Sequence, residues 1–210
     1  FYAAVDTFEI AVRGRGGHAA RPNNTVDTTL AASAIVMALQ QVVSRNTDPQ
    51  QPAVVSVTSF RTESEACNVI PEHVTLRGTV RTFDADVRTM IERRMTEIAA
   101  LTAQSYGASA SFEWHEQGFP AMVNHDVETG HAAAAARTVA GSVDTNAPRT
   151  TGGEDFAYML NACPGAYIQI GNGPSAGLHH PEYDFNDEIL PLGAALHASL
   201  FIADLHSDSL

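Results

Sequence analysis

The segment Gly177-Leu178-His179-His180-Pro181-Glu182-Tyr183-Asp184-Phe185-Asn186-Asp187 joins two imidazoles and three carboxylates in one short stretch. These side chains are metal-ligand types. A metal centre needs three or four protein ligands in fixed geometry, so this segment offers part of a set. No His-x-x-x-His helix and no Cys-x-x-Cys pair supplies the rest. Spacing alone leaves a metal-binding loop and a His-rich surface loop equally open. Pro181 restricts His180 to extended backbone, which helps to hold the loop.

A second candidate is Gly14-Arg15-Gly16-Gly17-His18-Ala19-Ala20-Arg21-Pro22. Its glycines allow turns that other residues avoid. It lacks the Lys-Ser/Thr of a phosphate-binding loop, and Pro22 interrupts the helix such a loop requires. The alternatives left are a loop presenting His18 as a donor to a developing oxyanion, or a turn with an incidental histidine. Asn68-Val69-Ile70-Pro71 carries an amide donor. Arg81 can grip a carboxylate with two hydrogen bonds, or can lie solvated on a polar strand face. Thr151-Gly152-Gly153-Glu154-Asp155-Phe156 reads as a glycine turn entering a helix, with acids suited to the first turn. Gly173-Pro174-Ser175-Ala176-Gly177 matches G-x-S-x-G, but a nucleophile elbow needs a helix directly after the serine. Leu178-His179-His180-Pro181 follows instead, so the match reads as accidental, with a serine hydrolase using Ser175 kept as an alternative.

The elements that must position these residues fall into two halves. Phe8, Ile10 and Val12 alternate with Thr7, Glu9 and Arg13; Val74, Leu76, Gly78 and Val80 alternate with His73, Thr75, Arg77, Thr79 and Arg81; Ala110, Phe112 and Trp114 alternate with Ser109, Ser111, Glu113 and His115. Each run predicts a strand with one buried and one polar face. Residues 53–60 predict a fourth, more apolar strand. Val26, Leu30, Ala34 and Met37 recur at helical spacing behind Thr25 as N-cap. Val87, Ile91, Met95 and Ile98 do the same between an Asp84 cap and Gly107. The order β-α-β-β-α-β over 6–116 predicts a ferredoxin-like sheet with both helices on one face. Its free edges invite pairing with a second copy.

Residues 117–210 predict helices near 126–140, 155–161 and 189–206, and one strand at 166–170. One strand makes no sheet, so this half is expected to belong to a larger α/β domain whose other strands lie upstream. The first half then reads as an insertion into that domain. His179 follows the strand, where open α/β sheets bind ligands.

Composition narrows the function classes. The 210 residues are 44% hydrophobic and 17% charged, as in folded globular chains. A net charge of −12 argues against nucleic acid and anionic membrane as partners. No apolar run is long enough to span a bilayer. The opening Phe1-Tyr2-Ala3-Ala4-Val5-Asp6 has neither an initiator Met nor a basic signal region, so the chain is expected to begin within a longer protein. Cys67 and Cys163 make no disulfide framework, and reduced thiols with a cytoplasmic setting are expected. Asn23-Asn24-Thr25 is a short match to a glycosylation sequon.

Taken together, the segments resemble the M20 family of metallopeptidases, in the amidohydrolase branch of hippurate and auxin-conjugate hydrolases. The carrying motifs are Gly-Gly-His-Ala-Ala at 16–20, Asn-Val-Ile-Pro at 68–71 and Gly-Thr-Val-Arg-Thr-Phe at 78–83. Gly-Gly-Glu-Asp-Phe at 152–156, Ile-Gly-Asn-Gly at 170–173 and Leu-His-x-Pro-x-Tyr-Asp-Phe-Asn-Asp at 178–187 complete them.

The resemblance implies an α/β catalytic domain holding two divalent metal ions, Zn²⁺ or Mn²⁺. It implies a ferredoxin-like lid inserted in that domain and joining a homodimer. Residues 6–116 would form the lid, and 1–5 with 117–210 part of the catalytic domain. It further implies that His179 ligates a metal and that His18 reaches the oxyanion from the partner's lid, with Asn68 beside it. Arg81 would hold the carboxylate of an N-acyl amino acid, and the loop with Gly153 and Glu154 would line the pocket. The family's remaining ligands and its general base have no counterpart in these 210 residues, so this chain alone is expected to bind metal weakly and to hydrolyse nothing. A non-catalytic dimerisation or binding module is the alternative from another class.

Overall fold

The alternating strands build a sheet in the computed structural model, which describes residues 2–115 and 118–207. Four long strands are present: β1 (Ala4–Arg13), β3 (Ala53–Thr62), β5 (His73–Thr82) and β6 (Ser109–His115). They form one sheet in the order β3-β5-β1-β6, with every neighbour antiparallel. A two-stranded ribbon pairs β2 (Gly17–His18) with β4 (Val69–Ile70). Helices α1 (Thr28–Gln41) and α2 (Ala85–Ser105) follow the first and third long strands.

Period-two alternation puts one side of each strand on a single face. Phe8, Ile10, Val12, Val74, Leu76 and Val80 pack there in one cluster with Ala31, Ile35 and Leu39 of α1 and Ile91, Met95 and Ile98 of α2. Both helices therefore cover the same face. Burying each large side chain contributes roughly 1.5–3 kcal/mol. The other face stays polar, and there Arg77 pairs with Glu9 at 2.7 Å. At the end of the apolar face, buried Asp6 accepts two hydrogen bonds from Arg88 of α2 (2.8 and 2.6 Å).

The second helix starts where its cap predicts. Asp84 accepts from the backbone N–H groups of Asp86 and Val87, and Gly107 follows its end at φ 75°. The first helix differs from the sequence expectation. Its N-cap is Asp27, which accepts from Thr29 and Leu30, not Thr25. Thr25 instead closes a 3-10 turn over Pro22–Asn24, its hydroxyl donating to the Pro22 carbonyl at 2.8 Å. The buried stripe is Ala31, Ala32, Ile35 and Leu39, whereas Leu30 and Met37 are 55% and 73% exposed. The larger apolar residues drew the expected stripe, but close packing on the sheet favours the alanine-bearing side.

Helices α3 (Asp126–Val139), α4 (Phe156–Ala162) and α5 (Leu190–Ser207) lie near their expected spans. Ala135 and Ala136 of α3 pack against Leu196 of α5. The strand expected at 166–170 is absent: these residues pair with no strand among those described. The side chain of Asn124 takes a strand partner's place. Its Nδ2 donates to the Tyr167 carbonyl at 3.0 Å, and its Oδ1 accepts from the Tyr167 N–H at 2.8 Å.

The chain divides into two compact units, Phe1–Met122 with Arg149–Tyr158, and Val123–Pro148 with Met159–Leu210. The boundary expected at 116–117 falls on residues outside those described. Among the described residues no helix is long and apolar enough to cross a membrane.

Candidate functional site

The β2–β4 ribbon brings the two polar candidates of the first unit together. His18 lies opposite Val69 in the register, and the Ala19 N–H donates to the Asn68 carbonyl at 2.9 Å. His18 and Asn68 are thus neighbours, both exposed. The ribbon closes because Gly16 has no side chain: a Cβ there would stand 2.8 Å from the Ile70 carbonyl oxygen. The Ala20 N–H donates to Nδ1 of His18 at 3.0 Å. An accepting Nδ1 leaves the proton of the neutral ring on Nε2. The exposed end of His18 is then an N–H donor, the group a developing oxyanion needs.

Arg81 spends much of its guanidinium on its own chain. Its Nε donates to the Thr151 carbonyl at 3.1 Å, and its Nη1 to the Val80 carbonyl at 3.0 Å and to the Thr79 hydroxyl. It therefore ties the Thr150–Gly152 turn to the end of β5. Arg149 adds a contact over the Phe83 ring at 5.6 Å. Gly153 sits where no side chain fits, since a Cβ would meet Val5 at 2.4 Å and Phe119 at 2.8 Å. Glu154 accepts from the Phe156 N–H at 3.2 Å, as a residue entering a helix does.

His179 belongs to the second unit. It is exposed at φ 66°, a left-handed conformation unusual for a residue with a side chain. Among the described residues it makes no side-chain hydrogen bond or ion pair. Its neighbour His180 accepts from the Glu182 N–H at 3.1 Å through Nδ1, which gives that ring a place in the loop's own bonding. Residues 172–186 are fastened at one point. Asn172 donates to the Asp184 carbonyl at 2.8 Å and accepts from the Asn186 N–H at 2.9 Å. The Ser175 hydroxyl donates to that same carbonyl and accepts from the Asp184 N–H, both at 3.1 Å. Ser175 is bonded here to backbone, and among the described residues no histidine reaches it as a base. Asn172, Asn186 and Asn124 escaped the sequence reading. Asn172 stood inside the Ile-Gly-Asn-Gly motif and Asn186 inside the motif at 178–187, whereas Asn124 had no local signal.

The metal expectation meets one candidate donor. Among the described residues, no group of three or more His, Cys, Asp or Glu side chains is placed to hold an ion. Among the described residues His179 therefore stands as a candidate donor without the rest of a centre. A shallow cavity of about 180 Å³ lies elsewhere, lined by Ser59, Arg61, Thr62, Glu63, His73, Thr75 and Arg77. It contains none of the candidate site residues. A register shift between Val57 and Ser59 sets Ser59 opposite Arg77 and Arg61 opposite Thr75.

The chain matches peptidase family M20/M25/M40 over residues 9–203. It is 37% identical over 207 residues to an N-acetylcysteine deacetylase of Bacillus subtilis strain 168, covering 98% of this chain and 53% of the relative. It is 35% identical over 211 residues to IAA-amino acid hydrolase ILR1-like 2 of Arabidopsis thaliana, covering 96% and 47%. Among solved structures it is similar to a Bacillus subtilis protein described as a dinuclear metal binding peptidase from the M20 family. That match has a TM-score of 0.80 and 30% identity, over 98% of this chain and 51% of the other. The chain spans about half the length of the curated relatives it matches. With that family matched over nearly its whole length, this chain belongs to peptidase family M20/M25/M40.

Proposed function

We propose that this chain is part of a metal-dependent amidohydrolase that cleaves the amide bond of N-acyl amino acids, hippurate-like compounds among them. Family membership and relatives named as a deacetylase and an IAA-amino acid hydrolase support the class. The observation that carries the reading for this chain's own residues is the Ala20 to His18 hydrogen bond. It leaves Nε2–H exposed as a donor for the oxyanion formed when a nucleophile adds to an amide carbonyl. Asn68, the neighbour of His18 on the ribbon, adds a second donor.

In this reading residues 6–116 are a ferredoxin-like lid that joins a homodimer, so that His18 serves the partner's site. Residues 1–5 and 117–210 belong to the catalytic domain. Arg81 presents what remains of its guanidinium to the substrate carboxylate, and Gly153 and Glu154 border the pocket. Divalent metal ions, Zn²⁺ or Mn²⁺, are the proposed cofactors; bound, they acidify water and polarise a carbonyl. His179 is the donor this chain offers them. One donor does not make a centre, so the 210 residues alone are inactive in this reading.

Kinetics of the full-length protein on paired substrates tests it. Hippurate-like amides should be cleaved, and blocking the substrate carboxylate as an amide should raise KM sharply. An enzyme that ignores the acyl amino acids and cleaves unrelated esters would overturn the reading.

A further inference from the structure

We infer that Asn172 and Ser175 are positioning residues, forming a clasp on Asp184 that fixes how His179 is presented. The inference rests on the reading of His179 as a metal ligand. Two side chains, Asn172 and Ser175, take hold of the backbone at Asp184 and Asn186. The Asp184 carbonyl accepts from Asn172 Nδ2 at 2.8 Å and from Ser175 Oγ at 3.1 Å. The Asp184 N–H is held by Ser175 Oγ at 3.1 Å, and the Asn186 N–H by Asn172 Oδ1 at 2.9 Å. These four bonds join residues nine to fourteen positions apart, so they close residues 176–183 into a loop with a fixed neck.

Within the loop, Gly177 and His180 carbonyls accept from the N–H groups of His180 and Tyr183. His179 sits among these turns at φ 66°. A left-handed residue with a side chain persists only where its surroundings over-determine it. Its neighbours here make short turns and little else, and the fixed neck supplies the remaining constraint. The clasp also accounts for Ser175, whose G-x-S-x-G setting otherwise has no use. Past the neck, Asn186 caps the 3-10 turn Asp187–Ile189 by accepting from the Glu188 N–H at 3.0 Å, which anchors the return to α5.

The test uses full-length protein carrying Ser175→Ala, Asn172→Ala, Ser175→Thr or His179→Ala. Amide exchange over 176–184, Co²⁺ binding followed by its visible absorption, and Tm are measured together. The clasp predicts that both clasp-to-alanine variants speed exchange in the loop about tenfold and weaken one Co²⁺ site about tenfold, a loss of about 1.4 kcal/mol, with Tm nearly unchanged. Ser175→Thr, which keeps the hydroxyl, should restore both. His179→Ala should lose the same Co²⁺ site without faster exchange at the neck. Unchanged exchange in the alanine variants, or faster exchange with unaltered Co²⁺ affinity, overturns the clasp while leaving His179 a ligand. Co²⁺ binding untouched by His179→Ala overturns the ligand reading and the positioning role with it.

Discussion

The backbone N–H of Ala20 donates to Nδ1 of His18 across 3.0 Å. This local bond, two residues apart, decides which nitrogen of an exposed imidazole carries its proton. It turns a histidine at a glycine-rich bend into a directed donor. His18→Ala in the full-length protein is expected to lower kcat about 10²–10³-fold, the usual loss for an oxyanion donor, with little change in KM. Asn68→Ala should act in the same direction. A normal kcat for His18→Ala would remove it from the chemistry.

Asn124 holds both backbone groups of Tyr167 with one side chain. Asn124→Ala strands a donor and an acceptor, and is expected to cost about 2 kcal/mol. Asn124→Asp keeps the acceptor and loses the donor, so it should fall between. The midpoint of urea unfolding followed in the second unit measures both.

The carboxylate of Asp6 is buried, and Arg88, with a side chain 33% exposed, is its cation. Arg88→Ala leaves that carboxylate without its cation and is expected to cost about 3 kcal/mol. Replacing both residues by leucine should cost less than the single change, because no charge is then stranded. Chemical denaturation of the three proteins decides it. Equal losses would mean the pair acts through packing rather than charge.

Strand β3 forms one edge of the sheet, with Val54 39% and Phe60 41% exposed along it. If that half joins two copies, the full-length protein is a dimer, and Val54→Lys shifts it toward monomer. Sedimentation of the two proteins is the check. Monomers in both cases would count against the dimer and against His18 serving a partner's site.

Local signals in the sequence carried most of what the structure shows in the first unit. Period-two runs such as Phe8-Ile10-Val12 found their strands, because alternation is a property of a single segment. Asp84 found the start of α2 for the same reason. Thr25 misled because the helix starts two residues later, where Asp27 accepts from Thr29 and Leu30, and the Thr25 hydroxyl is turned back to the Pro22 carbonyl. Leu30 and Met37 misled because side-chain size is visible in a sequence and packing distance is not. The strand expected at 166–170 required a pairing partner, and the partner is the amide of Asn124, forty-three residues away. Among the candidate residues, His18, Asn68 and His179 stood out by type. The residues that hold them, Ala20 through its N–H and Asn172 and Ser175 through Asp184, are set by hydrogen bonds that no residue type announces.

As proposed above, the complete protein is a metal-dependent amidohydrolase to which this chain contributes His179. Release of amino acid from hippurate by the full-length protein, before and after chelation, tests it most directly. Chelation is expected to abolish hydrolysis, Zn²⁺ or Mn²⁺ to restore it, and neither ion to restore the His179→Ala protein. Hydrolysis that survives chelation and is abolished by a serine-directed reagent would contradict it.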